Sequence, residues 1–506
     1  MNKHILTLFL SLTLLLSLAA CGGNADTTDA RRDANEIVVG IAQDLENSLD
    51  PYTSVTAANR EVLFNVFEGL VKPDADGNLS PAVAERWEVS DDQLTYTFHL
   101  RPGVKFHDGS EVTAMDVAWS IDKAMQSGSW EALDNIDAID IGSDYVSVVL
   151  KAADSDFLSY MTLAITPENH ADGADPVGTG PFKFISRAAQ QNLVLERFAD
   201  YWGESAKVDK VTYQIYENAE ALVMALKSGA VDICAHLTAT QANQLTESFD
   251  ILEGTMNLVQ AVYLNHAYEP LANETVRKAL CYALDREQVF DVVADGHGTA
   301  VGSSMYPNFR KYFLPELADL YPHDTEKAKA MLAEAGYPDG FDIVLTIGTQ
   351  NAYVQAATLV QEQLKQIGVN VEIQSVSSTE VTDRYLNNKV QLWINGQGGS
   401  ADPATFVGYF LNSDKIHTNY NAFCYSDPAT DAIINEALTL TDQQERKDLY
   451  EELNEIALKT NIAAFYATTK LSWGLRKEVH GFVQENKAVM RVCGLEGSGI
   501  NIWKEK

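Results

Sequence analysis

Cysteine is scarce: the 506 residues contain five, at positions 21, 234, 281, 424 and 493, and no two have Cys-x-x-Cys spacing. That argues against a thiolate zinc site or a vicinal redox pair; an exported protein could pair the four downstream cysteines in any of three ways, and mostly buried free thiols are expected there. Basic residues are also short, 37 Lys and Arg against 71 Asp and Glu, for a net charge of -34. So acidic a surface repels phosphate backbones, and nucleic acid is not an expected partner. None of the ten histidines begins His-Glu-x-x-His, and no Gly-x-Ser-x-Gly occurs, so two hydrolase signatures are missing. Gly178-Thr179-Gly180 runs into Pro181, which has no N–H to offer a phosphate. No repeat is found, and only one long apolar run.

That run, Ile5 to Ala20, follows Lys3 and is short for a membrane span, so it reads as a secretory signal. It ends in Leu18-Ala19-Ala20-Cys21-Gly22, which resembles a bacterial lipobox. Cys21 would then carry the lipid and open the mature chain. The plainer alternative is an ordinary leader cut after Ala20. Residues 22–36 are small, polar and aperiodic, as expected of a flexible tether.

The length exceeds one core, and 46% hydrophobic with 21% charged residues describes a globular body. "EIVVGIAQ" from Glu36 predicts a strand. Leu63, Val66, Phe67 and Leu70 fall on one helical stripe within "NREVLFNVFEGL". "LTYTFHL" alternates as a half-buried strand, and Thr113 with Asp116 has the spacing of a capping box opening a helix. Ala357, Val360, Leu364 and Ile367 predict a helix stopped by Gly368, followed by a strand through Val369, Val371 and Ile373. The fold class expected is α/β.

Asp74, Asp76, Asn78 and Glu85 mimic calcium-loop spacing, but Leu79 replaces the required glycine and Pro81 interrupts. Asp76-Gly77 is better read as a hairpin turn. No metal or cofactor is expected. The segment "NGQGGSADPATF" (395–406) sets one carboxylate, Asp402, behind a glycine-rich turn. Asp402 is read as a ligand anchor or as the cap of a segment beginning at Pro403.

Several stretches together resemble the peptide- and nickel-binding family of bacterial ABC-transporter solute-binding proteins. They are "NSLDPYTS" (47–54), the run from Asn65 to Ile121, "VGTGPFKF" (177–184), "DYWGESAKVDKV" (200–211), "NETVRKALCYALDRE" (273–287) and "KAKAMLAEAGYPDGF" (327–341). The resemblance implies a two-lobed periplasmic-binding-protein-like fold (type II, cluster C) with a two-strand hinge. Lobe I would comprise residues 37–58, 170–264 and 484–506, with a subdomain inserted at 59–169. Lobe II would run from 265 to 483. Gly69, Gly103, Gly109 and Gly180 are expected to be structural.

In peptide-binding relatives an aspartate matching Asp402 pairs with the ligand's α-ammonium. The resemblance therefore implies a site at Asp402 with Gln397, Gly399, Ser400 and Ala401, and with Trp393 as an apolar wall. Asn47 and Tyr52 would join from lobe I, and Asn419 and Tyr420 from beyond the loop. The arginine that clamps the carboxylate in dipeptide-specific relatives has no counterpart, because 346–364 contains no Lys or Arg. The implied role is a monomeric receptor, lipid-anchored outside the cell membrane, that passes peptides to ABC permeases. Nickel chelates, glutathione-like compounds and other solutes are the alternative cargo. The competing class is an exported hydrolase using Asp402 or His107-Asp108.

Overall fold

β1 (Glu36–Ile41) is buried on both faces: Ile37, Val39 and Ile41 enter one core and Val38 another. This two-sided burial accounts for its unbroken apolar sequence. The structure is a computed structural model. It describes residues 35–42, 45, 48–53, 59, 62–73, 79–154, 156–168, 170, 175–245, 248–256, 258–294, 297–305, 307, 313–398, 407–418, 421–440, 442–460, 463–481 and 503–504.

β2 (Val71–Pro73) and β3 (Leu79–Pro81) pair antiparallel on either side of Asp76-Gly77, which itself lies outside the described residues. β4 (Ala84–Val89), β5 (Thr95–Leu100), β6 (Ile136–Ile141) and β7 (Tyr145–Leu150) form a separate sheet in the order β4-β5-β7-β6. Tyr96 and Phe98 of β5 point inward, as the alternation predicts. Helix α1 (Ala114–Gln126) opens on the expected box: Thr113 accepts from the Asp116 amide, and the Asp116 carboxylate accepts from the Thr113 amide. Val117 and Ile121 of α1 share a core with these strands, so this region has its own hydrophobic interior.

Asn59, Val62 and Leu63 are helical, but the helix gives way to a turn at 64–66 and does not run on to Leu70 as the stripe predicts. Phe67 donates to the Leu63 carbonyl, and the chain then straightens through 67–69. Tertiary packing sets this limit. A Cβ on Gly178 would lie 2.2 Å from the Val66 carbonyl oxygen, and one on Gly180 would lie 2.7 Å from that of Asn65. The Gly180 and Phe182 amides donate to those same carbonyls. The stripe residues stay buried without a helix continuing beneath them.

β8 (Phe182–Ala188), β9 (Asn192–Arg197), β10 (Lys210–Ile215), β11 (Ile233–Leu237) and β12 (Asp250–Thr255) return to the sheet of β1, which runs parallel to β10 and β11. Helix α2 (Ala219–Lys227) covers one side through Leu222, Val223 and Leu226. Next come β13 (Leu258–Leu264), β14 (Gly298–Thr299), β15 (Asp342–Ile347), β16 (Asn370–Ser375), β17 (Leu392–Gly398) and β18 (Ala463–Leu475). Helices α3 (Glu274–Ala283), α4 (Asn351–Lys365), α5 (Pro428–Thr439) and α6 (Gln443–Lys459) accompany them. Gly368, at φ +84°, ends the turn after α4 and admits β16, as expected.

These strands make one 12-stranded sheet, ordered β16-β15-β17-β13-β18-β11-β1-β10-β9-β8, with β12 and β14 also on β18. β18 is shared. Its residues 463–467 pair with β13, and residues 470–475 pair with β12. Among the described residues, the chain passes between two bodies from β12 to β13 and within β18 at 467–470. β13, assigned from the sequence to lobe I, alternates Val262 and Leu264 into one second-body core and Val259, Ala261 and Tyr263 into the other. Trp473 and Leu475 pack back into the first-body core.

β19 (Val479–His480) pairs with β20 (Trp503–Lys504), and Lys504 Nζ lies 3.1 Å from the buried Asp232 carboxylate. Cys234 and Cys281 are buried free thiols, and Cys424 is a half-buried one. Cys493 lies outside the described residues.

Candidate functional site

The glycine-rich segment is delivered by β17. In its antiparallel register with β13, Gly396 faces Gln260, Gln397 faces Val259 and Gly398 faces Leu258. β17 thus ends at the crossover between the bodies. Gly399, Ser400, Ala401 and Asp402 lie outside the described residues, as do Asn47, Asn419, Tyr420 and Cys21.

Gly396 is crowded by protein. A Cβ there would meet Leu258 Cδ2 at 2.8 Å and the Tyr353 hydroxyl at 3.1 Å. The Gly396 amide donates to that hydroxyl at 3.0 Å, and burial raises the Tyr353 pKa, so the phenol stays neutral. The first glycine of the segment thus makes room for Leu258 and Tyr353. On the same side of β13, the Tyr466 hydroxyl donates to Gln260 Oε1 at 3.1 Å, and Tyr466 too is held neutral by burial. Tyr353, Tyr466 and Gln260 form an uncharged, largely buried polar cluster beside the end of β17. Sequence reading missed them, although Gln260 stands alone as a polar residue within the apolar "LVQAVYL".

Trp393 is 2% exposed and stacks on Tyr263, with centroids 5.1 Å apart and planes at 20°. Tyr385 also stacks against Trp393, with centroids 6.2 Å apart. This places Trp393 in the second-body core, holding β17 from behind, and not on an open wall. Tyr52 is likewise inward. Its hydroxyl reaches the Ala164 carbonyl at 3.1 Å and Thr166 Oγ1 at 2.8 Å, and burial pushes its pKa up to about 12. Trp130 Nε1 donates to the Tyr52 carbonyl, tying the segment to the β4–β7 region. With Phe67, Thr166 and Val177, Tyr52 lines a small recess.

His107 and Asp108, the competing acid–base candidates, are committed to the fold. His107 Nδ1 accepts from the Gly178 amide at 3.3 Å, so Nε2 carries the proton it donates to the Gly180 carbonyl at 2.9 Å. Burial holds the His107 pKa down to about 4. Asp108 accepts from the amide and hydroxyl of Ser110 in a tight turn. The "DYWG" motif is similarly absorbed: Glu68 accepts from Tyr201, Trp202 and Lys72, and Arg101 lies over the Trp202 ring at 4.4 Å. Among the described residues no His, Cys, Asp and Glu cluster is arranged to hold a metal ion, and no helix is long and apolar enough to cross a membrane.

The family model of bacterial extracellular solute-binding proteins, family 5 (middle), matches residues 78–418. This chain belongs to that family. Its members bind solutes and are not enzymes. The glutathione-binding protein GsiB of Pectobacterium atrosepticum is 27% identical over 476 residues, covering 89% of this chain and 91% of its own. Heme-binding protein A of Haemophilus influenzae is 29% identical over 499 residues, covering 87% and 90%. The periplasmic binding protein DppA of Helicobacter pylori, solved with the peptide STSA, superposes with a TM-score of 0.79 at 25% identity, covering 93% of this chain and 98% of that one. The two bodies are accordingly the two lobes of a periplasmic-binding-protein fold, with the β4–β7 sheet as the inserted subdomain.

Proposed function

We propose that this family 5 protein captures peptides bearing a free N-terminal amine and delivers them to the permease of an ABC importer. It works as a monomer, lipid-anchored through Cys21 on the outer face of the cell membrane. The observation that supports this reading is the β13–β17 register, which ends β17 at the crossover between the lobes, shortly before Asp402 in the sequence. A carboxylate there accepts charge-assisted hydrogen bonds from an ammonium group, and lobe closure strengthens them by excluding water. Backbone N–H and C=O groups of a glycine-rich segment can pair with an extended peptide. Tyr353, Gln260 and Tyr466 behind β17 bring no cation to this end of the strand, in keeping with a ligand whose C-terminus is not clamped by a dedicated arginine. Gly399, Ser400, Ala401, Asn47, Asn419 and Tyr420 are further contacts in this proposal, carried over from the family resemblance.

Calorimetry on a mutant and ligand cycle tests this. Breaking a buried, hydrogen-bonded charge pair costs about 2–5 kcal/mol, so Asp402→Asn is expected to weaken peptide binding by roughly 30-fold or more. Acetylating the peptide amine should cost wild type a similar amount and the variant little further, since both changes remove one interaction. Additive losses would instead make Asp402 a cap for the segment at Pro403. A larger loss from amidating the C-terminus would point to a cation holding the carboxylate.

A further inference from the structure

The lobes also touch far from the crossover. Arg446, in the first turn of α6, forms an ion pair with Asp156, which precedes the short helix Phe157–Tyr160 of the inserted subdomain. The two lie 290 positions apart in sequence, and their side chains are only 4% and 1% exposed. The guanidinium sits over the Tyr450 ring at 5.1 Å, against the second-lobe core. On the other side, Phe157 is wholly buried in the subdomain core and packs on Tyr96 at 4.8 Å. Nearby, Gln93 Nε2 of the subdomain donates to the Thr439 carbonyl at the end of α5, at 3.2 Å.

No described strand of the β4–β7 sheet pairs with the 12-stranded sheet, so this contact bypasses the crossover strands. A rigid rotation of the lobes about residues 255–258 and 467–470 must therefore make or break it. We propose that the buried Arg446–Asp156 pair is a latch that holds the second lobe shut against the inserted subdomain. The inference rests on the closing two-lobed reading, not on the identity of the cargo. When the lobes separate, both charges regain water. When they close, each is buried and needs the other, so removing one partner selectively penalises the closed form. Replacing both with apolar groups of similar volume leaves no orphan charge and keeps the contact.

The test measures lobe separation directly in the full chain. Spin labels are placed on one exposed residue of α1 and one of α5, and distance distributions are recorded without added ligand and with trialanine. Wild type is expected to show a short-distance population matching this structure. Arg446→Gln and Asp156→Asn should each shift it toward long distances by about tenfold or more, and the double variant Asp156→Leu/Arg446→Met should restore it. Single variants that lower the melting temperature but leave the distance distribution at wild type would make the pair a static contact and overturn the latch. So would a wild type with no short-distance population under either condition. Absence of trialanine binding alongside a latch-dependent shift would count against the peptide reading alone.

Discussion

His107 carries a charge question that its two ring contacts answer. A protonated ring would present N–H to the Gly178 amide, which already donates to Nδ1. The native site therefore resists protonation down to about pH 4, while the unfolded histidine titrates near 6.5. Because the native pKa is the lower one, the unfolded state binds the extra proton between those values, and stability falls as pH falls through that window. The loss approaches about 3 kcal/mol once pH reaches the native pKa, and the slope from this group dies out about one pH unit below it. Urea unfolding at pH 7 and pH 4.5 is expected to show this loss, reduced in His107→Gln, whose amide supplies both a donor and an acceptor. An unchanged difference between the two pH values in the variant would place the acid sensitivity elsewhere. At this scale the sequence is a partial guide. It singles out Tyr52 and Trp393 as aromatic, yet aromaticity does not say which face a ring takes, and both point into cores. Cys234 conforms to expectation as a buried thiol, and burial drives its pKa up to about 12.

Among elements, the most legible were those whose signals are local. The Thr113–Asp116 box forms because both partners lie within one turn, and β5 alternates because one face meets one core. The helix–Gly368–strand succession needs only a left-handed residue after α4. The segment at 62–70 departs because its conformation is set by residues more than a hundred positions away. Gly178 and Gly180 press directly on the carbonyls of Val66 and Asn65, and periodicity carries no trace of that contact. Gly178→Ala should therefore destabilise the protein by about 1–3 kcal/mol through overpacking against backbone that cannot rotate aside. Thermal or urea unfolding at pH 7 checks this. A variant as stable as wild type would mean that the 65–67 backbone shifts freely, and that the close approach is not what ends the helical turn.

Across the whole molecule, the resemblance carried the two-lobed fold, but the position of the crossover depends on strand register. β13 reads as a plain apolar strand, and only its pairing with β17 and β18 assigns it to the second lobe. The proposed anchor belongs at this scale as well, because it fixes where the receptor meets its permease. If Cys21 carries the lipid, a random-coil chain of the length that separates it from β1 at Glu36 would have an r.m.s. reach of roughly 20 Å and would keep the body close to the membrane face. β1 lies between β10 and β11, so the tether leaves from the first lobe and the second is free to swing. A single acyl chain binds membranes only marginally, so stable retention calls for multiple acylation at Cys21. Cys21→Ser is expected to move the protein from the membrane fraction to the soluble fraction, or to stall leader removal. Purified Cys21→Ser protein should keep wild-type peptide affinity and melting temperature, since position 21 precedes the folded body. If the variant still partitions into the detergent phase like wild type, the lipid is not on Cys21. If it is released but loses peptide affinity, the segment before β1 contributes to the fold or to the cleft and is more than a tether.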